Sequence, residues 1–213
     1  MLDLSSRRPL ASRNTKWAGQ ASRALAARGI TPNQISTASM GFALVGALFF
    51  WASAEAGPWL RALALLLAAL CCQMRLICNL LDGMVAVEAG RGAKDGPFWN
   101  EAPDRVSDLL LLGGAGLAAG QPALGLLAGA LAIFTAYLRE LGRAEGMAPD
   151  FSGPFAKPQR MAVLTLAAVF AAFELIVLAA PAVLVWALWL LVLGTGLTVL
   201  RRSWRLIAWL KAR

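Results

Sequence analysis

Six apolar runs, each close to the length of a bilayer core, fill the chain between residues 34 and 200. They lie at roughly 34–53, 61–82, 105–120, 122–140, 160–178 and 181–200, and a helix needs about 20 apolar residues to cross the hydrocarbon layer. Runs of this length leave little choice of fold, because a backbone in lipid must satisfy its own polar groups and does so as packed helices. Composition supports this: 59% of the residues are hydrophobic and 15% charged, more apolar surface than a soluble domain of this size conceals. The expected fold is an all-α integral membrane protein. It has a basic segment at 1–30, six transmembrane helices within 31–200, and a basic tail at 201–213.

The connections carry recognisable signals. Residues 15–28 place Trp17, Ala21, Ala24 and Leu25 on one side and Lys16, Arg23 and Arg28 elsewhere, the pattern of an interfacial amphipathic helix, with Gly29 ending it. Thr31-Pro32-Asn33-Gln34 reads as an N-cap, a proline at the first helical position and a capping box. Gly57-Pro58, Gln121-Pro122 and Ala180-Pro181 mark tight turns. Gly113, Gly116, Gly120, Gly125 and Gly129 along the third and fourth runs point to close helix packing. Of the 20 Lys and Arg, only Arg61 and Arg75 fall outside the N-terminal segment, the second and fourth connections and the tail. The positive-inside rule then puts both termini in the cytoplasm, with a bacterial inner membrane as the expected location.

The same distribution removes several functions. A net charge of +8 could attract nucleic acid, but basic residues flanking apolar runs fit membrane orientation and anionic lipid instead. There is no histidine, which excludes Ser-His-Asp and Cys-His mechanisms and the usual zinc sites. Cys71, Cys72 and Cys78 share one apolar run and read as packing.

Acid and base chemistry must then come from the remaining polar groups, and these converge. Arg61 to Asp82 is 21 residues, about 31 Å of helix, so Asp82 emerges at the inner interface. Arg75, Asn79 and Asp82 share one helix face; Asp104 and Asp108 share a face on the next helix. Pro103 reads as the first turn of that helix, with Glu101 just before it. Arg75 lies about two turns inside the membrane and should face the bundle interior. Converging carboxylates have two readings: a shared hard cation, Mg²⁺ or Mn²⁺, or ordinary pairing with Arg75, Arg91 and Arg105. Glu174 is also intramembrane, toward the outer side, where it can snorkel or pair.

Asn79-Leu-Leu-Asp82-Gly83-Met-Val-Ala86-Val87, followed by Asn100-Glu-Ala-Pro-Asp104-Arg-Val-Ser-Asp108, resembles the D-x-x-D-G-x-x-A-R … G-x-x-x-D-x-x-x-D signature of the CDP-alcohol phosphotransferase family. The six-span layout and the interfacial helix are similar too. The resemblance implies a transferase that moves a phosphatidyl group from a CDP-linked lipid, such as CDP-diacylglycerol, to an alcohol or phosphorylated alcohol and releases CMP, in phospholipid biosynthesis. It implies Mg²⁺ or Mn²⁺ held by Asn79, Asp82, Asp104 and Asp108, with Asp108 also the base and Gly83 and Ala86 beside the nucleotide. It implies membrane lipids as partners, no nucleic acid, and a homodimer. The chain departs from the signature at Asn79, Val87 and Asn100, and in a longer gap. Three carboxylates remain, so one metal, or two with help from Glu88 or Glu101, are both open, and Arg91 or Lys94 could replace the missing arginine. Lys157, Arg160, Arg139 and Arg143 at the inner ends of the fourth and fifth runs are either acceptor-phosphate ligands or positive-inside residues. Two other functions stand beside the enzyme: a catalytically degraded relative serving as a lipid- or nucleotide-binding scaffold, suggested by Asn79 and Val87, and a small transporter, which would need polar residues through the bilayer midplane.

Overall fold

The computed structural model describes residues 15–88, 90, 94–177 and 182–213. These form seven α-helices: α1 Lys16–Ala27, α2 Pro32–Ala54, α3 Pro58–Glu88, α4 Gly96–Ala118, α5 Pro122–Ala144, α6 Lys157–Val177 and α7 Val183–Lys211. Arg7, Arg8, Arg13, Arg91, the side chain of Glu88 and the Ala180-Pro181 turn lie outside the described residues.

Local chemistry sets most helix ends. Thr31 accepts from the Gln34 backbone while Gln34 returns a bond to the Thr31 N–H, the expected capping box, with Pro32 beginning α2. Gly29 and Gly120 adopt positive φ after α1 and α4, which glycine does without steric cost. The start of α4 differs from the sequence expectation. The helix begins at Gly96 after Asp95, with Pro97 in its first turn and Pro103 inside, so Glu101 is a helical residue. Pro97 already supplies the initiating proline, and Pro103 forgoes only the bond to the Trp99 carbonyl. At the other end of the chain α7 continues to Lys211, so residues 201–211 are helix. Arg202 holds that extension by donating to the carbonyls of Thr135, 2.7 Å, and Ser152, 3.0 Å.

Among the described residues four helices are long and apolar enough to cross a membrane: α2, α3, α5 and α7. With α4 and α6 they form one bundle, in which α2 packs on α3 and α4, α4 on α5, α3 on α6, and α7 on α5 and α6. The core runs through Phe50, Leu65, Leu111, Leu112, Leu164 and Leu188. Large apolar side chains also cover the outside, among them Leu60, Phe170, Leu193 and Leu200, with Trp51, Trp59 and Trp186 grouped at the end opposite α1. That is the surface lipid requires. α1 lies against α3, seating Ala18 on Leu80 and Met84. The α4–α5 seam is close because both helices present glycine: a Cβ on Gly125 would lie 2.5 Å from the Leu112 carbonyl oxygen and 2.7 Å from the Gly116 Cα.

The Trp-lined end carries its own polar knot. Arg61 donates to the carbonyls of Ser53, 3.1 Å, and Ala118, 3.4 Å, tying α3 to the ends of α2 and α4. Glu174 is buried and accepts from the backbone N–H groups of Ala182 and Val183. It thus caps the N-terminus of α7, where a carboxylate is favoured.

Candidate active site

α3 and α4 bring the sequence candidates together at the end of the bundle where α1 lies. Asp108 is fully buried between two arginines: Arg75 Nη2 is 2.7 Å from Oδ1 and Arg160 Nη2 is 2.8 Å from Oδ2. One turn earlier, Asp104 receives Lys157 Nζ on Oδ2 and Asn79 Nδ2 on Oδ1, the latter at 2.8 Å. Arg75 also reaches the Asp104 carbonyl, at 3.3 Å. Two carboxylates, Asp104 and Asp108, therefore share three cations, Arg75, Arg160 and Lys157.

Asp82 is different. It is buried, accepts from Ser36 Oγ at 2.7 Å and from the Gly83 N–H at 2.5 Å, and makes no salt bridge among the described residues. It lies within electrostatic reach of both Asp104 and Lys157. Ser39 Oγ donates to Asn79 Oδ1, 2.8 Å, so both arms of Asn79 are engaged. The two α2 serines were not singled out in the sequence. Their signal was two hydroxyls one turn apart in an apolar run.

Lys157 and Arg160 are positioned by the turn before α6. Gly153 has φ +122, and a Cβ there would meet the Thr198 side chain at 2.3 Å. The Phe155 N–H donates to Thr198 Oγ1, 3.0 Å, the Phe155 ring covers Gly194, and the Phe155 carbonyl accepts from Arg160 Nη1, 3.0 Å. α7 thereby anchors the turn, and the turn aims both cations at α4.

The other candidates fall outside this cluster. Arg139 pairs with Glu101 and Glu140 and lies over the Phe151 ring; Arg143 pairs with Glu140. Glu101 is taken by Arg105 and Arg139. Gly83 and Ala86 are half-buried on α3, and Lys94 is exposed. Among the described residues no group of three or more Asp, Glu or Cys is arranged to hold a metal ion.

Donors outnumber acceptors in the cluster. Nε and Nη1 of Arg75 and Nε of Arg160 are buried without a protein partner. Buried donors of this kind call for an anion or water.

No family model and no curated protein matches the sequence. Solved structures of Mycobacterium tuberculosis phosphatidylinositol phosphate synthase share the fold. The form with CDP-DAG bound superimposes with a TM-score of 0.75 at 20% identity, over 90% of this chain and 94% of that one. The complex with manganese and citrate gives 0.74 at 21% identity, over 89% and 88%. The apo form gives 0.70 at 21% identity, over 86% and 93%.

Proposed function

We propose that this chain is a divergent CDP-alcohol phosphotransferase that transfers a phosphatidyl group from a CDP-linked lipid, CDP-diacylglycerol, to an acceptor alcohol and releases CMP. The observation that carries the reading is the buried cluster of Asp82, Asp104 and Asp108 with Lys157 and Arg160, within a fold shared with a synthase crystallised with CDP-DAG. In this reading all six long helices span the membrane, both termini are cytoplasmic, and the cluster faces the cytoplasmic leaflet.

A divalent ion is proposed at one place, beside two carboxylates rather than a cluster of three. Asp82 is a buried carboxylate without a salt bridge among the described residues, Asp104 lies near it, and Lys157 stands there as a cation. Mg²⁺ is commonly held by one or two carboxylates together with substrate phosphates, so Asp82 and Asp104 are the proposed ligands of Mg²⁺ or Mn²⁺. When bound, the ion would supply positive charge at the diphosphate. The chain's own cations do related work: Lys157 and Arg160 give charged hydrogen bonds to phosphate oxygens. Gly83, without a side chain, and Ala86, with a small one, leave room for the nucleotide against α3. Asp108 is the proposed base. A phosphate that draws Arg160 away frees Oδ2 to take the acceptor hydroxyl proton while the acceptor oxygen bonds to phosphorus and the bond to CMP breaks. Arg139 is the least favoured acceptor ligand because two glutamates already hold it.

One observation favours a second reading, a binding-only relative: Asp104 and Asp108 are already paired, and Asn79 is neutral. The test is CMP release by purified protein in lipid with CDP-diacylglycerol, Mg²⁺ or Mn²⁺ and a panel of free and phosphorylated alcohols, with Asp108→Asn as control. Metal-dependent release that the substitution abolishes supports the transferase, and the stimulating alcohol identifies the acceptor. Nucleotide-lipid binding without release from any alcohol supports the binding-only protein.

A further inference from the structure

We propose, resting on the transferase reading, that Arg202 is a positioning residue. From the C-terminal extension of α7 it sets the place of the Arg160 guanidinium, and so of the cation beside Asp108, without touching substrate itself.

Arg202 is buried, and its bonds to two backbone carbonyls bridge two segments. Nη1 donates to Thr135 of α5, 2.7 Å, and Nε to Ser152 in the α5–α6 connection, 3.0 Å. Each segment leads directly to Arg160. Arg160 Nη1 donates to Thr135 Oγ1, 3.4 Å, and to the carbonyl of Phe155, 3.0 Å, in the turn that follows Ser152. Both of these acceptors therefore sit on backbone that Arg202 holds. A guanidinium is a rigid plane, so fixing Nη1 also fixes Nη2, which meets Asp108 Oδ2 at 2.8 Å.

Neighbouring turns of α7 complete the hold. Gly194, Thr198, Arg202 and Arg205 follow one another at helical spacing and share one face. In that order they meet the Phe155 ring, the Phe155 N–H at 3.0 Å, the Ser152 carbonyl, and Asp150 Oδ2 at 3.2 Å. One face of α7 thus follows the connection from residue 155 back to residue 150. Arg202 is the member of that face that also reaches α5. Its planar fork spans two carbonyls on different segments, whereas an ammonium is a point charge on a flexible stem. The position therefore uses the shape of arginine rather than its charge.

The experiment is a double-mutant cycle on the purified full chain in nanodiscs, crossing Arg202→Gln with Arg160→Lys. Two quantities are read: CMP release under the conditions given for the transfer, and the rise in melting temperature that CDP-diacylglycerol produces. Arg202→Gln alone should lower CMP release at least about tenfold, since small displacements at a reacting centre are costly, and should shrink the melting rise. In the Arg160→Lys background, where the guanidinium fork is gone, the same substitution should change either quantity by less than about twofold. Arg202→Lys should behave as Arg202→Gln does. If Arg202→Gln does not fold, Thr198→Val, which removes the acceptor of the Phe155 N–H, takes its place in the cycle with the same expectation. If Arg160→Lys leaves no measurable release, the melting rise completes the cycle. Losses that multiply across the two sites would overturn the inference, because Arg202 would then act independently of Arg160. Native behaviour in Arg202→Lys would also overturn it, because charge alone would suffice, as for a direct phosphate ligand. Either result with CMP release in the native chain leaves the transferase reading standing. A coupled cycle in the melting rise without CMP release keeps the role of Arg202 in a binding-only protein. Neither release nor a melting rise in the native chain removes both.

Discussion

Replacing Asp108 by Asn leaves Arg75 and Arg160 buried around a neutral amide. Removing one partner of a buried pair costs about 3–5 kcal/mol, so Asp108→Asn should melt well below the native protein in detergent as well as lose activity. Asp82→Asn is the contrast. Asp82 forms no salt bridge among the described residues, and an amide oxygen can still accept from Ser36. Its thermal stability without metal should stay within about 1 kcal/mol of native, while Mn²⁺ no longer raises its melting temperature. The two carboxylates are equivalent in spacing arguments, and only their surroundings separate them. The helical spacing of Arg75, Asn79 and Asp82 was enough to put them on one face, and depth was enough to turn Arg75 inward. The sequence did not reveal that Arg75 would choose Asp108 over Asp82, or that Ser36 and Ser39 would supply the remaining contacts. Both depend on which face of α2 and α4 meets α3, and no local pattern encodes that.

At the scale of elements, glycines separate into those that seat a neighbour and those that do not. Gly125 allows the Leu112 carbonyl to approach α5, with a Cβ position only 2.5 Å away. Gly125→Val should push α4 from α5 and destabilise by about 1–3 kcal/mol as an overpacked core does. Gly41 is exposed on α2 with nothing within 4 Å of an added Cβ, so Gly41→Ala should stabilise by about 1 kcal/mol through helix propensity. Thermal melting of both variants in the same detergent checks the pair. The glycine pattern was legible as close packing, yet Gly116 and Gly125 had to be seen together to know which residues approach. Pro103 is the opposite case: its local preference suggested a helix start, and the preceding turn, begun by Pro97, overrode it. The α5–α6 connection has a pH signature. Burial works against the Asp150 carboxylate, but the Ser152 N–H at 2.8 Å and the charges of Arg205 and Arg202 outweigh it and hold its pKa below the usual value. A depressed folded pKa means the stabilisation is complete above the unfolded value, about 4, and disappears as pH falls through the folded one. Asp150→Asn should therefore flatten the acid side of the stability profile and leave the neutral region less stable than native.

For the whole molecule, orientation is the property most open to a direct check. The carboxylate cluster lies at one end of the bundle, with α1 and the basic C-terminal turn of α7, while Trp51, Trp59 and Trp186 mark the other. The proposed transfer from a cytosolic CDP-linked donor needs the cluster to face the cytoplasm, and the positive-inside rule applied to the basic residues flanking α1 and ending α7 predicts the same placement. These arguments are independent, since one concerns chemistry and the other insertion. Cys71, Cys72 and Cys78 are buried, so the native chain should react little with a membrane-impermeant maleimide. Gly57 lies in the short connection at the Trp-marked end, with open space around it, and Ala212 follows α7 at the other. In intact bacterial cells Gly57→Cys should label from outside, whereas Ala212→Cys should label only after the membrane is opened. The reverse pattern would place the cluster on the wrong side for a cytosolic nucleotide and overturn the proposed transfer at its starting point. Labelling of both from outside would instead mean that the six long helices do not all cross the membrane in the assumed order.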